Sequence, residues 1–346
     1  MTQLGAVTAR HDFDRNKLQT YLQQNLAGFD GPLEIKQFQG GQSNPTYLLS
    51  TPQSTYVMRS KPGPVSRLLP SAHAVEREFR VMSALAEYGV PVPRMLLLVE
   101  DEAVIGRAFF VMEHVDGRIF WEQSLPESSP VERAAIYDEM NRVIAKLHAV
   151  DIERAGLGDF GKAGNYFERQ IGRWSKQYRA SETGSVDAMN RLIEWLPQHI
   201  PAGGETTVVH GDYRMDNLIF HPTEPRVIAV LDWELATLGH PLADFSYHCM
   251  SWHIPPGAFR GIAGLDYRAL GIPTEEEYRQ RYTDRTGRTI DHWNFYLAYN
   301  LFRIAAILQG VFKRSTEGIA SSDNAAQSGA RARALADIGW RYAQQT

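Results

Sequence analysis

Three side chains in one short stretch have the types and spacing to hold a metal and move a phosphoryl group: Asp212, Asn217 and Asp232. The stretch reads Val-Val-His-Gly-Asp-Tyr-Arg-Met-Asp-Asn-Leu-Ile-Phe from Val208, then a polar turn, then Val-Ile-Ala-Val-Leu-Asp-Trp-Glu to Glu234. Two apolar runs, Leu218 to Phe220 and Val227 to Leu231, flank the Pro-containing turn His221 to Arg226. That pattern predicts a hairpin with a longer loop. Its open ends carry the polar groups, so the hairpin should bring them to one point. Two carboxylates and a carboxamide oxygen are hard ligands suited to Mg²⁺, which keeps several waters and bridges phosphates. One of the carboxylates can instead take a proton from an incoming hydroxyl.

A catalytic Asp, a basic residue two places on, an Asn five places on and a metal-binding Asp beyond a hairpin form the pattern of the protein-kinase catalytic loop. Here they are Asp212, Arg214, Asn217 and Asp232. The His-Gly-Asp spelling, with Asp-Trp-Glu after the hairpin, resembles the aminoglycoside phosphotransferase and choline kinase-like family. His-Gly-Asp-Tyr-Arg-x-Asp-Asn with Leu-Asp-Trp-Glu-x-x-x-x-Gly-x-Pro-x-x-Asp is similar to the phosphotransferase-like domain found fused to acyl-CoA dehydrogenases. The likeness spans roughly residues 30 to 310. It implies an α+β, bilobal protein-kinase-like fold. The expected N-lobe, residues 1–115, holds a five-stranded antiparallel sheet with a helix; the expected C-lobe, 116–346, is mostly helical. A lone His-Gly-Asp is only a tight turn; the whole constellation between two strands carries the resemblance.

The elements that must position these residues can be read along the chain. Residues 1 to 11 read as a loose tail, and Asp12 or Asp14 should cap a helix whose apolar positions are Leu18, Tyr21, Leu22 and Leu26. Leu33 to Phe38, Thr46 to Ser50 and Thr55 to Ser60 read as strands. The linker between the first two contains Gly41, Ser43 and Asn44. Taken alone it is a hairpin turn. Ahead of two strands it is also the expected phosphate cover, because glycines let backbone N–H groups approach an anion. The third strand puts Arg59 and Lys61 on one face, and either could hold phosphate oxygens, Arg by its planar fork. Val75, Phe79, Met82 and Leu85 mark one stripe of the next helix, with Ser71 as its cap. Glu78 is the expected partner of the strand base and Glu76 its rival. Met95 to Glu100 and Ala108 to Val115 supply two more strands. The second ends at Met112, Glu113, His114 and Val115, the hinge position whose backbone would meet the adenine edge.

The rest reads helical: Val131 to Val150, Asn165 to Arg179, Ser185 to Gln198, Leu242 to Trp252, Asp291 to Gly310 and Ser321 to Gln344. His148 reads as structural, and the resemblance implies that Asp244 braces the catalytic loop. Gly156-Leu-Gly-Asp-Phe-Gly-Lys-Ala163 looks like a phosphate loop but is not one. Ala163 stands where a Ser or Thr should ligate Mg²⁺, and a helix, not a strand, precedes it.

The resemblance implies ATP-dependent phosphorylation of a small-molecule hydroxyl with ATP and Mg²⁺ as cofactors. Asp212 and Arg214 would be catalytic, and Asn217, Asp232 and Glu234 would hold the metal. Asp216 could ligate through water or brace the loop. Other readings are a kinase of an aminoglycoside, choline or homoserine, or a non-catalytic nucleotide-binding module; the retained acidic residues argue against the module. An acyl-CoA dehydrogenase label would reflect the fusion partner, since the pattern leaves no room here for a flavin domain.

Composition narrows the partners. With 346 residues, 43% hydrophobic, the chain can bury two cores. A net charge of -4 gives no support for nucleic-acid binding. No uninterrupted apolar run approaches the ~20 residues of a membrane span, and the N-terminus lacks the basic start and apolar core of a signal peptide. The single cysteine, Cys249, excludes an intrachain disulfide. A cytoplasmic protein without a membrane partner is expected. Residues 251–346 carry 12 Lys and Arg against 9 Asp and Glu, a local +3 against -7 for the preceding 250. A polycationic acceptor needs carboxylates, so this balance leans toward an anionic acceptor with an apolar part, such as a hydroxyacyl-CoA or related hydroxy-acid derivative.

Overall fold

In the computed structural model the described residues are 4–39, 44–63, 74–317 and 327–345. The linker residues Gly41 and Ser43, and the cap Ser71, lie outside them. By internal contacts the chain forms two compact units. The first comprises Met1–Ile119, Glu153–Phe160 and Asn217–Ala236; the second comprises Phe120–Ile152, Gly161–Asp216 and Thr237–Thr346.

The first unit begins with β1 (Leu4–Gly5) and α1 (Arg15–Asn25). Asp14 starts the helix: one carboxylate oxygen accepts from the Asn16 and Lys17 N–H groups, both at 3.0 Å. Leu18 and Leu22, four apart, are the buried face. Next come β2 (Glu34–Phe38), β3 (Thr46–Ser50), β4 (Thr55–Ser60), α2 (Val75–Glu87), β5 (Met95–Val99) and β6 (Phe109–Glu113). The strands form one antiparallel sheet in the order β1-β2-β3-β4-β6-β5. Alternation on β3 turns Tyr47 and Leu49 inward, where they join Leu18, Leu22, Met58, Phe109 and Val111.

The sheet has six strands, not five. The extra one is cut from the expected tail, where Leu4 pairs with Phe38 and Gly5 with Gln37. A two-residue strand has no periodicity to read. On α2 the buried set is Val75, Glu78, Val81, Met82 and Leu85; Phe79 is half-buried, against Phe110. Three of the four expected stripe positions, Val75, Met82 and Leu85, are thus buried, and Glu78, expected as the partner of the strand base, is buried with them.

The second unit supplies α3 (Pro130–His148), α4 (Tyr166–Ser181), α5 (Asp187–Trp195) and β7 (Thr207–Val209). The chain then returns to the first unit as a hairpin of β8 (Leu218–Phe220) and β9 (Val227–Val230). Its fastening explains why the division is not a single cut near residue 115. Arg118 and Phe220 exchange two backbone hydrogen bonds of 2.8 Å, and the Val230 N–H donates to the Pro91 carbonyl at 2.8 Å. At Gly117 a Cβ would lie 2.3 Å from the Phe220 carbonyl oxygen, so only glycine allows this approach.

The second unit resumes with β10 (Thr237–Gly239), paired to β7, and α6 (Pro241–Cys249), α7 (Tyr267–Leu270), α8 (Glu275–Thr286), α9 (Trp293–Thr316) and α10 (Ser328–Ala343). By length and composition α9 could cross a membrane, but 78% of its most apolar window is buried inside the protein. It is the core helix of this unit, packed by α4, α6 and α10.

Candidate active site

Each unit builds one half of the predicted chemistry. In the first, β4 carries Arg59 into a nest of acids. Arg59 Nε donates to Glu78 Oε1 at 3.1 Å, and Nη2 donates to Asp232 Oδ1 at 3.1 Å and Glu234 Oε2 at 3.2 Å. Asn44 Nδ2 donates to the same Glu78 oxygen at 3.0 Å. Burial works against the Arg59 charge, but Glu78, Asp232 and Glu234 outweigh it and hold the guanidinium firmly protonated. Burial pushes the Glu78 carboxyl up, with Arg59 pulling the other way. The two candidate bases make different pairs. Lys61 lies past the end of β4 and ion-pairs with Glu76. Arg59 is the base that joins the helix acid to Asp232.

Asp232 and Asn217 come together because the open end of the hairpin is closed. The Leu231 N–H donates to the Asn217 carbonyl at 2.8 Å. Asp232 then turns left-handed, φ 64°, a conformation that Asp tolerates better than most residues. Trp233, fully buried, pins the turn by donating Nε1–H to the Val230 carbonyl at 2.8 Å. Glu234 follows in a single 3₁₀ turn.

At the hinge, Met112 and Glu113 still belong to β6. The Glu113 N–H donates to the Arg94 carbonyl at 3.0 Å, and its carboxylate accepts from the Arg94 N–H at 2.9 Å. That donor is therefore engaged within the sheet. His114 and Val115 follow the strand end and leave the ladder.

In the second unit Asp212 sits in the loop after β7. Tyr247 OH donates to Asp212 Oδ1, and Arg214 Nη2 lies 3.0 Å from Oδ2. The Asp212 N–H donates to His210 Nδ1 at 3.1 Å. Burial, then the Asp212 charge, push the Tyr247 phenol up, so it remains a donor. Asp244, on α6, accepts from the backbone N–H groups of His210 at 2.7 Å and Gly211 at 2.9 Å. His148 Nε2 is 3.2 Å from Asp244, and its Nδ1 is 2.7 Å from Tyr282 OH. Burial lowers the His148 pKa, so a neutral ring gives its one proton to Asp244 and accepts from Tyr282. Gly211 has φ 81°, and its carbonyl accepts from Arg303 Nη2 at 2.6 Å. Asp216 accepts from Arg260 Nη2 at 2.7 Å and lies 3.6 Å from Arg214.

A small cavity of about 30 Å³ opens here, lined by Arg214, Tyr247, Ser251, Phe259, Arg260 and Gln123 among others. Tyr247, Arg303 and Arg260 were not singled out as site residues by the sequence. The first two stand on helices where tyrosine and arginine read as core and surface. Arg260 contributed only to the local positive balance.

A family model for the phosphotransferase enzyme family matches residues 34–285. The chain belongs to that family. These phosphotransferases include relatives of differing length. Acyl-CoA dehydrogenase family member 10 of Mus musculus is 50% identical over 333 residues, covering 95% of this chain but 31% of its own. Acyl-CoA dehydrogenase family member 11 of Homo sapiens is 41% identical over 352 residues, covering all of this chain and 45% of its own. The chain thus spans a third to a half of these curated relatives. Among solved structures, a Ralstonia eutropha protein provisionally described as an aminoglycoside phosphotransferase is 61% identical, with a TM-score of 0.89 over 96% of this chain and 99% of that one. The aminoglycoside phosphotransferase APH(4)-Ia, in ternary complex with AMP-PNP and hygromycin B, is 15% identical with a TM-score of 0.63, covering 95% and 99%. At that identity it shares the kinase-like fold.

Proposed function

We propose that this phosphotransferase uses ATP to phosphorylate the hydroxyl of a small molecule, with a hydroxyacyl-CoA or related hydroxy-acid derivative as acceptor. The observation that carries the reading is the way Asp212 is held. Tyr247 fixes one carboxylate oxygen and Arg214 the other, so the group is aimed while remaining able to take a proton. Arg214 also neutralises charge on the moving phosphoryl group. The transition state of such transfers is loose, so positioning and charge supply most of the rate.

The nucleotide falls to the first unit. Arg59, held by Glu78, grips phosphate oxygens, with Asn44 and the preceding linker residues Gly41 and Ser43 covering them. Backbone groups at Met112 to Val115 meet the base, with His114 and Val115 the better placed because the Glu113 N–H is already engaged. Asn217 and Asp232, with Glu234 beside them, would hold Mg²⁺. The fit is chemical: the donors are hard oxygens, and three carboxylates stand against one guanidinium around Arg59. Hard oxygen donors of this kind suit a divalent cation shared with phosphates. When bound, the metal neutralises phosphate charge.

An aminoglycoside acceptor is disfavoured by the charge balance of residues 251–346, +3, since a polycation needs a surplus of carboxylates. The dehydrogenase names of the relatives belong to chains two to three times as long. A nucleotide-turnover screen of hydroxyacyl-CoAs, hydroxy acids and kanamycin-type drugs tests the reading. Turnover of the hydroxyacyl class is expected. Robust drug phosphorylation without it overturns the assignment.

A further inference from the structure

The glycine-rich stretch from Gly156 has the wrong polarity for phosphate: it offers carbonyl oxygens, and arginines take them. Arg77 and Arg80 stand three apart on α2, so both reach it from one face. Arg80 Nη2 donates to the Gly156 carbonyl at 2.6 Å and pairs with Asp159. Arg77 Nη2 donates to the Phe160 carbonyl at 2.7 Å, with its guanidinium carbon 4.2 Å from the Phe160 ring centroid. Phe160 is a firm anchor, 1% exposed, and its N–H donates to the Leu157 carbonyl at 2.9 Å. The same Arg77 nitrogen has a second acceptor, the Ala236 carbonyl at 3.3 Å. Ala236 closes the 3₁₀ turn after Asp232, its N–H donating to the Trp233 carbonyl at 3.0 Å. All of these residues belong to the first unit.

The turn that carries Asp232 and Glu234 is therefore tied to α2 at two points. The inner tie is Arg59, which bridges Glu78 to both acids. The outer tie is Arg77, next to Glu78 in the chain. The two differ in what competes for them. On the phosphotransferase reading Arg59 turns to phosphate oxygens and the acids to the metal, so the inner tie loosens when ligands bind. The backbone carbonyls of Phe160 and Ala236 meet no such rival. We propose that Arg77 is a positioning residue: it keeps Asp232 and Glu234 in register with Glu78 while nucleotide and metal occupy the site. The proposal rests on the phosphotransferase reading and adds a residue that acts through the turn rather than on the ligands.

The test is calorimetry of AMP-PNP binding to the full chain, with and without Mg²⁺; the ratio of the two affinities is the gain the metal brings. Arg77→Met keeps the stem over Phe160 and removes the donors. It should cut that gain about five- to tenfold, near the low end for a hydrogen bond made by a charged group because Arg77 is exposed, and leave binding without Mg²⁺ nearly unchanged. Arg77→Lys, which keeps a charged donor, should recover part of the gain. Arg80→Met loosens the same stretch without reaching Ala236 and should leave the gain intact. Denaturant midpoints check that each variant folds; if Arg77→Met does not, Arg77→Lys decides by the same ratio with a smaller loss. An unchanged gain in a folded Arg77 variant, an equal loss with and without Mg²⁺, or the same loss in Arg80→Met overturns the inference. The unaltered chain separates this failure from that of the reading beneath it. AMP-PNP binding that Mg²⁺ strengthens, with Arg77→Met no different, sinks the role of Arg77 alone; no AMP-PNP binding under either condition sinks the phosphotransferase reading.

Discussion

The two units solve opposite electrostatic problems. Around Arg59 the first unit gathers three carboxylates, Glu78, Asp232 and Glu234, on one guanidinium. Around Asp212 the second unit balances its charges: Arg214, Arg260 and Arg303 stand among Asp212, Asp216 and Asp244, and His148 is neutral. On the proposed reading the first arrangement takes up a cation together with its phosphates. The second is built to hold one carboxylate still, through tyrosine, arginine and backbone N–H groups rather than through a surplus of charge. Such networks hold a group still as far as their members are satisfied, and Asp244 accepts from three donors.

The sharpest way to break this division is to remove Asp212. Asp212→Ala should cut turnover by about 10²–10⁴-fold, the usual worth of a positioned acid or base, and leave Mg·ATP affinity nearly intact. Kinetics and calorimetry on one preparation measure both. Survival of turnover would reduce Asp212 to a turn residue. The complementary change, Asp232→Asn, should abolish Mg²⁺-dependent nucleotide binding, because it removes one charge from the cation-seeking cluster. Unchanged affinity by calorimetry would take Asp232 out of that role.

The same contrast explains what was legible in the sequence. The hairpin and its acids were readable because their order lies within one continuous stretch, from Asp212 to Glu234. The bracing of Asp212 was not. Tyr247 and Arg303 come from 35 and 91 residues away in sequence, and a tyrosine in an apolar helix gives no sign of pointing at a carboxylate. Arg59 and Lys61 share a strand face, so periodicity could not separate them; the end of β4 at Ser60 does. β1 was invisible for want of length.

Acid should distinguish the units. Burial lowers His240 and His248, in the second unit, to about 4. Below pH 6.5 the unfolded chain takes up protons that these folded rings refuse, so stability is lost as pH falls from 6.5 toward 4. Asp244 adds to this lower down: burial pushes its carboxyl up, but His148 and the His210 N–H outweigh it and hold it below 3.8. Its contribution is lost as pH falls through that depressed value. In the first unit His11, half-buried, shifts like the other histidines, but Glu78 moves oppositely. A raised carboxyl costs stability while ionised, and acid relieves that cost. His240 and His248 together should therefore cost the second unit on the order of 4 kcal/mol between pH 7 and 5, read by hydrogen exchange as faster opening of α6 than of the sheet. Equal opening of both would show that the histidines are not the cause.

The smallest expected effect tests the glycine-rich stretch that ends at Ala163. Ala163→Ser supplies the hydroxyl missing from a phosphate loop, so it should raise ATP affinity if the stretch binds phosphate. The geometry argues that it does not. Ala163 is exposed, and Arg169 occupies the carbonyls of Lys162, at 2.6 Å, and Gly164. Gly161 is glycine for packing: a Cβ there would lie 2.4 Å from Thr237 Oγ1 and 2.7 Å from the Leu238 nitrogen on β10. Ala163→Ser should accordingly leave both stability and Mg·ATP affinity unchanged. Gly161→Ala should cost about 1–3 kcal/mol by overpacking, seen in denaturant midpoints, without a specific loss of nucleotide binding. A gain in affinity from the serine would move the phosphate-binding role out of the linker before β3 and into the second unit, and would undo the division of labour drawn between them.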